Sequence, residues 1–193
     1  RREECFLKIA QERADSGNFF AKANGCDQEA LQKLGSDEVI KFDSSAGGYF
    51  IVHDVYEEWA FDKIIERSFI GSQDYGKFYQ NIGSSLPIRR AFRSWLSDKL
   101  FINDEDAKKL IGFTIGDDQV ESHWKDEVLV SVLLSDYSDV FFTNFEKELL
   151  KKPERVVSSD LSSKVVRSIS IIYKYENTFP LLPFVLEKQI LLD

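Results

Sequence analysis

The pattern of apolar and polar residues changes sharply near residue 50, where a short apolar segment runs directly into a helical pattern. Residues 49–52 are aromatic and β-branched, and the glycine pair before them suits a tight turn. Residues 41–43 provide a partner, so residues 39–52 are predicted to form a β-hairpin. Beyond it, apolar residues recur at helical spacing and predict one broad buried helix face, formed by Val55, Tyr56, Trp59, Ala60, Ile64, Ile65 and Phe69.

The start of this helix carries its own signal. Asp54 is predicted to be the N-cap, because its carboxylate can accept hydrogen bonds from the free amides of the first turn. Glu57 stands three residues later, at the spacing of a capping box. The strand is therefore expected to end, and the helix to begin, within two or three residues of His53.

Two further helices are predicted ahead of the hairpin. Residues 3–14 form an amphipathic pattern, and residues 27–34 follow with Asp27 as the cap and Gly35 as the end. The order helix, helix, two-stranded wing, helix is typical of a winged-helix domain. We assign residues 1–70 to it.

After Gly71 the pattern is helical only. Paired helices are predicted to recur about every 36 residues, with second members beginning near Pro87, Ser122 and Ser159. This spacing favours a HEAT-like array of helical hairpins over residues 71–193, although irregular helical packing fits almost as well. The predicted helices cover residues 74–82, 87–100, 104–115, 122–134, 138–150 and 161–175, with a last one starting near Pro183.

Composition narrows the class of protein. A chain of 193 residues with a net charge of −8 can bury a real core, but it is poorly suited to coating nucleic acid or an anionic membrane.

Its two cysteines, Cys5 and Cys26, lack a metal-ligand spacing and allow at most one bridge, which fits a reducing cytoplasm. No apolar run reaches the roughly 18–20 residues of a membrane span. A cytoplasmic protein with no membrane partner is expected.

The chain contains no methionine, and it stops on the apolar residues 190–192. An apolar end of this kind is typical of a helix whose packing partners lie elsewhere. We therefore expect the chain to be a piece of a longer polypeptide.

The sequence carries no catalytic motif that we can identify. Neither His53 nor His123 stands in a nucleophile motif with serine or cysteine, and His123 is expected to be an exposed residue in the first turn of a helix. Gly47-Gly48 is a hairpin turn and lacks the Lys-Ser/Thr of a phosphate-binding loop. The chain by itself is predicted not to be an enzyme and to hold no metal.

DNA binding by the winged helix is also disfavoured. Its second helix offers Asp27 and Glu29 against Lys33, and the wing offers Lys41 against Asp43. A phosphate backbone needs cations on these two elements. We expect DNA to be an unlikely partner.

Arg89, Arg90 and Arg93 form the one basic cluster in the sequence. They could hold phosphate or an acidic partner. The favoured interpretation is a solvated helix face whose arginines pair with acidic residues of neighbouring helices.

His53 is the remaining candidate. It lies where a strand ends and a helix begins, and a helix N-terminus carries partial positive charge that attracts anions. The alternative is a histidine that only makes hydrogen bonds within the loop before Asp54. Local chemistry leaves both interpretations open.

Val52-His53-Asp54 resembles the Met-His-Asp motif of STAND-class P-loop ATPases, with valine in place of methionine. Residues 47–67 and 86–92 also resemble segments of large bacterial ATP-binding proteins of this group. The group includes signalling ATPases and proteins implicated in bacterial defence. The resemblance implies that His53 contacts the β-phosphate of bound ADP and that Asp54 supports the turn and the helix start.

No Walker motif lies in this chain, so the resemblance implies a nucleotide-binding domain upstream in the same polypeptide. The chain would then be a non-catalytic regulatory arm. It would hold no cofactor alone, ADP or ATP would bind the full-length protein, and the helical array would contact a protein partner. Two rival functions are a transcription regulator with a degenerate winged helix and a helical protein-interaction scaffold.

Overall fold

The fold is mainly helical and contains one small sheet. A computed structural model describes residues 1–72, 74–144, 164–165 and 168–169. The elements are α1 (Arg2–Ser16), α2 (Gln28–Ser36), β1 (Ile40–Asp43), β2 (Gly48–Ile51), α3 (Asp54–Gly71), α4 (Tyr75–Ile82), α5 (Leu86–Phe101), α6 (Glu105–Gly116), α7 (Ser122–Leu133) and α8 (Ser138–Asn144). The prediction of a mainly α chain with a β-hairpin is confirmed.

The chain divides into two compact units between Trp95 and Leu96, within α5. The first unit holds α1 to α4, both strands and most of α5. The second unit begins with the last residues of α5 and includes α6 to α8. The ranges 1–70 and 71–193, which the change of element type predicts, stay a prediction.

The hairpin forms where the sequence predicts it. Strands β1 and β2 are antiparallel, with Ile40 opposite Ile51. The Asp43 carboxylate organises the turn by accepting hydrogen bonds from the Ser45 hydroxyl and from the amides of Ser45 and Ala46. These bonds, the one from the Ser45 side chain first, hold the pKa of Asp43 below its ordinary value.

A third segment joins the outer side of β2. The backbone amides of Ala21 and Tyr49 each donate to the carbonyl of the other at 2.8 Å. Gly48 permits this close approach, because a Cβ there would lie 2.9 Å from the Phe20 Cβ and 3.0 Å from the Ala21 oxygen.

The first two helices pack on α3 to make the core of the first unit. The Asp27 carboxylate accepts the Ala30 amide at 2.9 Å and caps α2, as predicted. Helix α2 continues through Gly35 to Ser36, so the predicted end at Gly35 is wrong; the backbone there stays helical and Asp37 is the C-cap. The core consists of apolar side chains from these elements, including Ile9, Ala10, Leu31, Leu34, Ile40, Ile51, Ala60, Phe61 and Ile65.

Aromatic side chains join α3 to α4 and to the first part of α5. The Trp95 ring lies 4.9 Å from that of Phe69 and 5.8 Å from that of Phe92, measured between centroids. The predicted apolar stripe of α5 is confirmed, since its five members are all buried: Ile88, Phe92, Trp95, Leu96 and Leu100.

In the second unit, α7 is buried on almost every side and packs against α6 and α8. Helix α6 is capped by the Asp104 carboxylate, which accepts the amides of Asp106 and Ala107 at 2.9 and 3.0 Å. The helices predicted over 74–82, 87–100, 104–115 and 122–134 are confirmed to within about one residue at each end.

Part of the predicted array lies outside the described residues. Of the helix predicted over 138–150, the structure describes Ser138–Asn144. The described residues do not include the predicted third repeat start at Ser159 or the helix predicted near Pro183. They include only four residues of the helix predicted over 161–175. The HEAT-like repeat therefore stays a prediction. Among the helices that are described, none has the combination of length and apolar character that crossing a bilayer requires.

Candidate functional site

His53 is the N-cap residue of α3, and its side chain is exposed to solvent. The backbone is still extended at this point, with φ −131° and ψ 135°, because the preceding amide of Val52 pairs with the Val39 carbonyl at 3.1 Å. The helix starts at once afterwards, and the His53 carbonyl accepts the Tyr56 amide at 3.0 Å. The hairpin and the helix together hold the imidazole at the N-terminal end of α3.

The predicted cap position is off by one residue. Asp54 is the first helical residue, and the side chain of the N-cap residue, His53, makes no capping hydrogen bond. Asp54 stands inside the first turn, where its negative charge interacts favourably with the partial positive charge of the helix N-terminus. The imidazole of His53 therefore does not serve the first-turn amides of α3.

Glu57 also departs from its predicted role in a capping box. Its carboxylate lies 3.1 Å from the Arg13 guanidinium of α1, and both residues are half-buried. Burial raises the pKa of Glu57 above its ordinary value, while Arg13 lowers it and Asp54 adds to the rise. Arg13 also lies 5.0 Å from the centre of the Phe19 ring. This ion pair ties the start of α3 to α1.

The charges around His53 act in two directions on an anion. The N-terminus of α3 attracts negative charge, whereas the exposed carboxylates of Asp54 and Glu58 repel it. The guanidinium of Arg13 is engaged by Glu57. A phosphate at His53 would therefore need most of its positive surroundings from another part of the protein.

The predicted buried face of α3 is wrong at its N-terminal end. Val55, Tyr56 and Trp59 are 63%, 37% and 43% exposed, whereas Phe61, which the predicted face omits, is buried. Apolar residues cover more than one side of this helix, and α1 and the strands can cover only one of them. The sequence did contain a signal of this exposure, namely the width of the apolar arc on α3. An arc wider than one neighbouring helix must leave part of itself uncovered.

Tyr56 and Trp59 line a groove of about 400 Å³ between α1, α2 and α3. Its floor includes Phe6, whose ring stacks 6.0 Å from that of Trp59. The ring of Tyr56 is 5.6 Å from the His53 imidazole, in an edge-on arrangement. Tyr56 therefore both lines this groove and neighbours the His53 imidazole.

The other sequence candidates lie apart from this surface along the chain. Arg90 is exposed, while Arg89 and Arg93 are half-buried and engaged in further interactions. The predicted pairing of these arginines with acidic residues of neighbouring helices stays a prediction. His123 is half-buried rather than fully exposed as expected, and its Nδ1 lies 3.2 Å from a Glu121 carboxylate oxygen.

Few uncommitted cations lie on the second helix and the hairpin. The Lys33 ammonium pairs with Glu29 at 2.7 Å, so the basic residue that α2 presents is already neutralised. Lys22 donates to the carbonyls of Ala46 and Gly47 in the hairpin turn. Lys41 on β1 is exposed, but the carboxylates of Glu29 and Asp43 stand on the same two elements, so their balance of charge offers little to a phosphate backbone.

Over the described ranges, no three His, Cys, Asp or Glu side chains are grouped so that they could hold a metal ion. Gly47 has φ +62° and completes the turn after Asp43, in agreement with its interpretation as a hairpin residue.

The chain matches no protein-family model, and no curated protein is similar enough to it to count as a relative.

Proposed function

We propose that this chain is the regulatory and helical-arm part of a larger bacterial STAND-type ATPase with a signalling or defence role. In it, His53 contacts the phosphate of a nucleotide that an upstream domain binds. The observation that carries the proposal is the position of His53, an exposed imidazole at the N-terminus of α3 that makes no capping hydrogen bond of its own. The resemblance of Val52-His53-Asp54 to the family motif supplies the identity of the anion.

The element order supports the same proposal. Two helices, an antiparallel hairpin and a third helix follow one another in the first unit, and this is the order of a winged-helix domain. In such a domain the motif histidine stands between the wing and the last helix. His53 occupies that position between β2 and α3.

The expected contribution of His53 is one hydrogen bond from the imidazole to a phosphate oxygen. The carboxylates of Asp54 and Glu58 oppose the anion, so the upstream domain supplies the main phosphate-binding groups. His53 then reports whether the nucleotide is present, and the helices after residue 71 pass closure or opening to a protein partner. The chain itself is a sensor and an arm, and catalysis belongs to the upstream domain.

His53→Ala in the polypeptide encoded by the complete gene is expected to weaken ADP binding about ten- to a hundredfold. A hydrogen bond to a charged group contributes roughly 1.5–3 kcal/mol, which corresponds to that factor. Titration with fluorescent ADP measures the affinity. The melting temperature of residues 1–193 alone should hardly change, since the ring is exposed.

His123→Ala is the matched control, because it removes the second of the two histidines and should leave ADP affinity unchanged. Equal ADP affinity in the wild-type protein and His53→Ala would refute the sensor role. A complete gene without an upstream phosphate-binding loop would refute the proposal as a whole.

The rival function as a DNA-binding regulator is less well supported. We expect the purified chain to show no micromolar binding of random duplex DNA, even at low salt, because Lys33 is paired and the net charge is −8. Fluorescence anisotropy with a labelled duplex measures this. Glu29→Gln is an informative variant, since it frees Lys33 and can only strengthen binding. Micromolar affinity of the unmodified chain would favour the regulator over the arm.

A helical scaffold is the remaining rival function. It predicts that a variant of the full-length protein that cannot bind nucleotide keeps its full function.

A further inference from the structure

The two cysteines of the chain lie beside each other in the first unit, although 20 residues separate them in sequence. Cys5 is buried in the first half of α1, and Cys26 is half-buried just before the cap of α2. A turn brings Cys26 to this position, with its amide donating to the Ala23 carbonyl at 3.1 Å and Gly25 at φ +72°. Both thiols are free.

The Cys26 side chain reaches the backbone of Cys5. The Cys26 thiol donates to the Cys5 carbonyl oxygen at 3.8 Å, a normal distance for a hydrogen bond that involves sulfur. Both residues line one small cavity of about 160 Å³, together with Lys8 and Asp27. The cavity gives the two side chains room to change rotamer, and a disulfide requires a specific rotamer at each cysteine.

The local environment slows the reaction of the Cys26 thiol with oxidants. Burial, followed by a hydrogen bond with the Cys5 thiol, raises the pKa of Cys26 to about 12, and Lys8 offsets only part of the rise. Near neutral pH the protonated thiol therefore predominates, so reaction with oxidants is slow and accelerates as the pH rises.

We propose that Cys5 and Cys26 form a reversible disulfide that fastens α1 to the segment leading into α2. The oxidant is a low-molecular-weight disulfide. The more exposed Cys26 loses its proton to solvent and attacks one sulfur of the oxidant, which releases one small thiolate and leaves a mixed disulfide. Cys5, deprotonated in turn, attacks the Cys26 sulfur and releases the second thiolate. The chain loses two electrons and two protons, and the oxidant becomes two thiols.

The test uses the whole 193-residue chain under native conditions, incubated with glutathione disulfide at pH 8 and analysed by thiol titration and intact mass. The expected product is a monomer without free thiols, with no bound glutathione and with a mass lower by two hydrogen atoms. It should melt about 5 °C or more above the reduced chain, because the bridge restricts the unfolded state. Dithiothreitol should reverse both changes.

Cys5→Ser is the matched control. It should stop at the mixed disulfide on Cys26 and show no rise in melting temperature. The proposal is overturned if the wild-type chain retains its glutathione adduct, forms only intermolecular dimers, or forms the internal bridge only in denaturant. It is equally overturned if both thiols persist under conditions that fully oxidise dithiothreitol.

Discussion

Trp95→Ala is expected to lower the free energy of unfolding by about 3–5 kcal/mol, because it removes a large aromatic from a packed core. The side chain is only 3% exposed, and its ring packs against those of Phe69, Phe78 and Phe92. Its indole Nε1 also donates to a Glu66 carboxylate oxygen at 2.6 Å. Urea denaturation followed by circular dichroism measures the loss.

Trp95→Phe separates the two contributions. It keeps an aromatic ring in the cluster but removes the N–H group that serves Glu66, so we expect a smaller loss of about 1–3 kcal/mol. If the phenylalanine variant is as unstable as the alanine variant, the hydrogen bond to Glu66 stabilises the fold more than the packing of the ring does. A loss below about 1 kcal/mol for Trp95→Ala would contradict the buried position of the indole.

Hydrogen exchange extends this prediction to the hairpin. Trp95 and residues 49–52 belong to the same compact unit, and we expect Trp95→Ala to reduce exchange protection in β2 as well as in α3. This matters for function, because a relay from His53 to the later helices needs the hairpin, α3 and α5 to respond together. Wild-type protection in β2, alongside loss in α5, would remove the physical basis of that relay.

Leu110→Ala is expected to cost about 2–5 kcal/mol in the second unit. The side chain lies on α6 and is fully buried, and α6 packs against α7. Truncation would leave a cavity at the buried face of α6, which Leu110 shares with Ala107, Ile111 and Thr114. Urea denaturation gives the size of the loss, and hydrogen exchange should show reduced protection in α6 and α7.

Lys109→Ala, one position earlier, is the control for Leu110→Ala. Its side chain is 68% exposed and pairs with Asp106 at 2.8 Å. Surface ion pairs of this kind contribute little, so we expect a change within about 0.5 kcal/mol. Similar losses for the two variants would show that the apolar interior of this unit does not lie between α6 and α7.

Much of the local structure could be predicted from the sequence because its causes lie within a few residues. Asp27 and Asp104 cap the helices that follow them, and each carboxylate reaches amides two or three positions ahead. The hairpin needs only two apolar strands, the Asp43 turn and a glycine with positive φ. The stripe of α5 repeats at helical spacing, and its members are buried.

The environment of His53 depended on tertiary structure. Its place between a strand and a helix was visible in the sequence, but its exposure and the missing side-chain cap were not. Arg13 takes the Glu57 carboxylate that the capping-box spacing assigns to the helix start. No spacing rule connects these two residues, because 43 positions separate them and only the packing of α1 on α3 brings them together.

The buried side of α3 shows the same limit. The spacing of apolar residues along the chain predicted a helix with apolar side chains around a wide arc. The sequence alone determined this feature. Which part of the arc faces inward was decided by where α1, the strands and α4 pack, and they cover Phe61 while leaving Tyr56 and Trp59 at the surface. Burial is a property of neighbours that are distant in sequence, and the spacing of residues within one helix does not contain it.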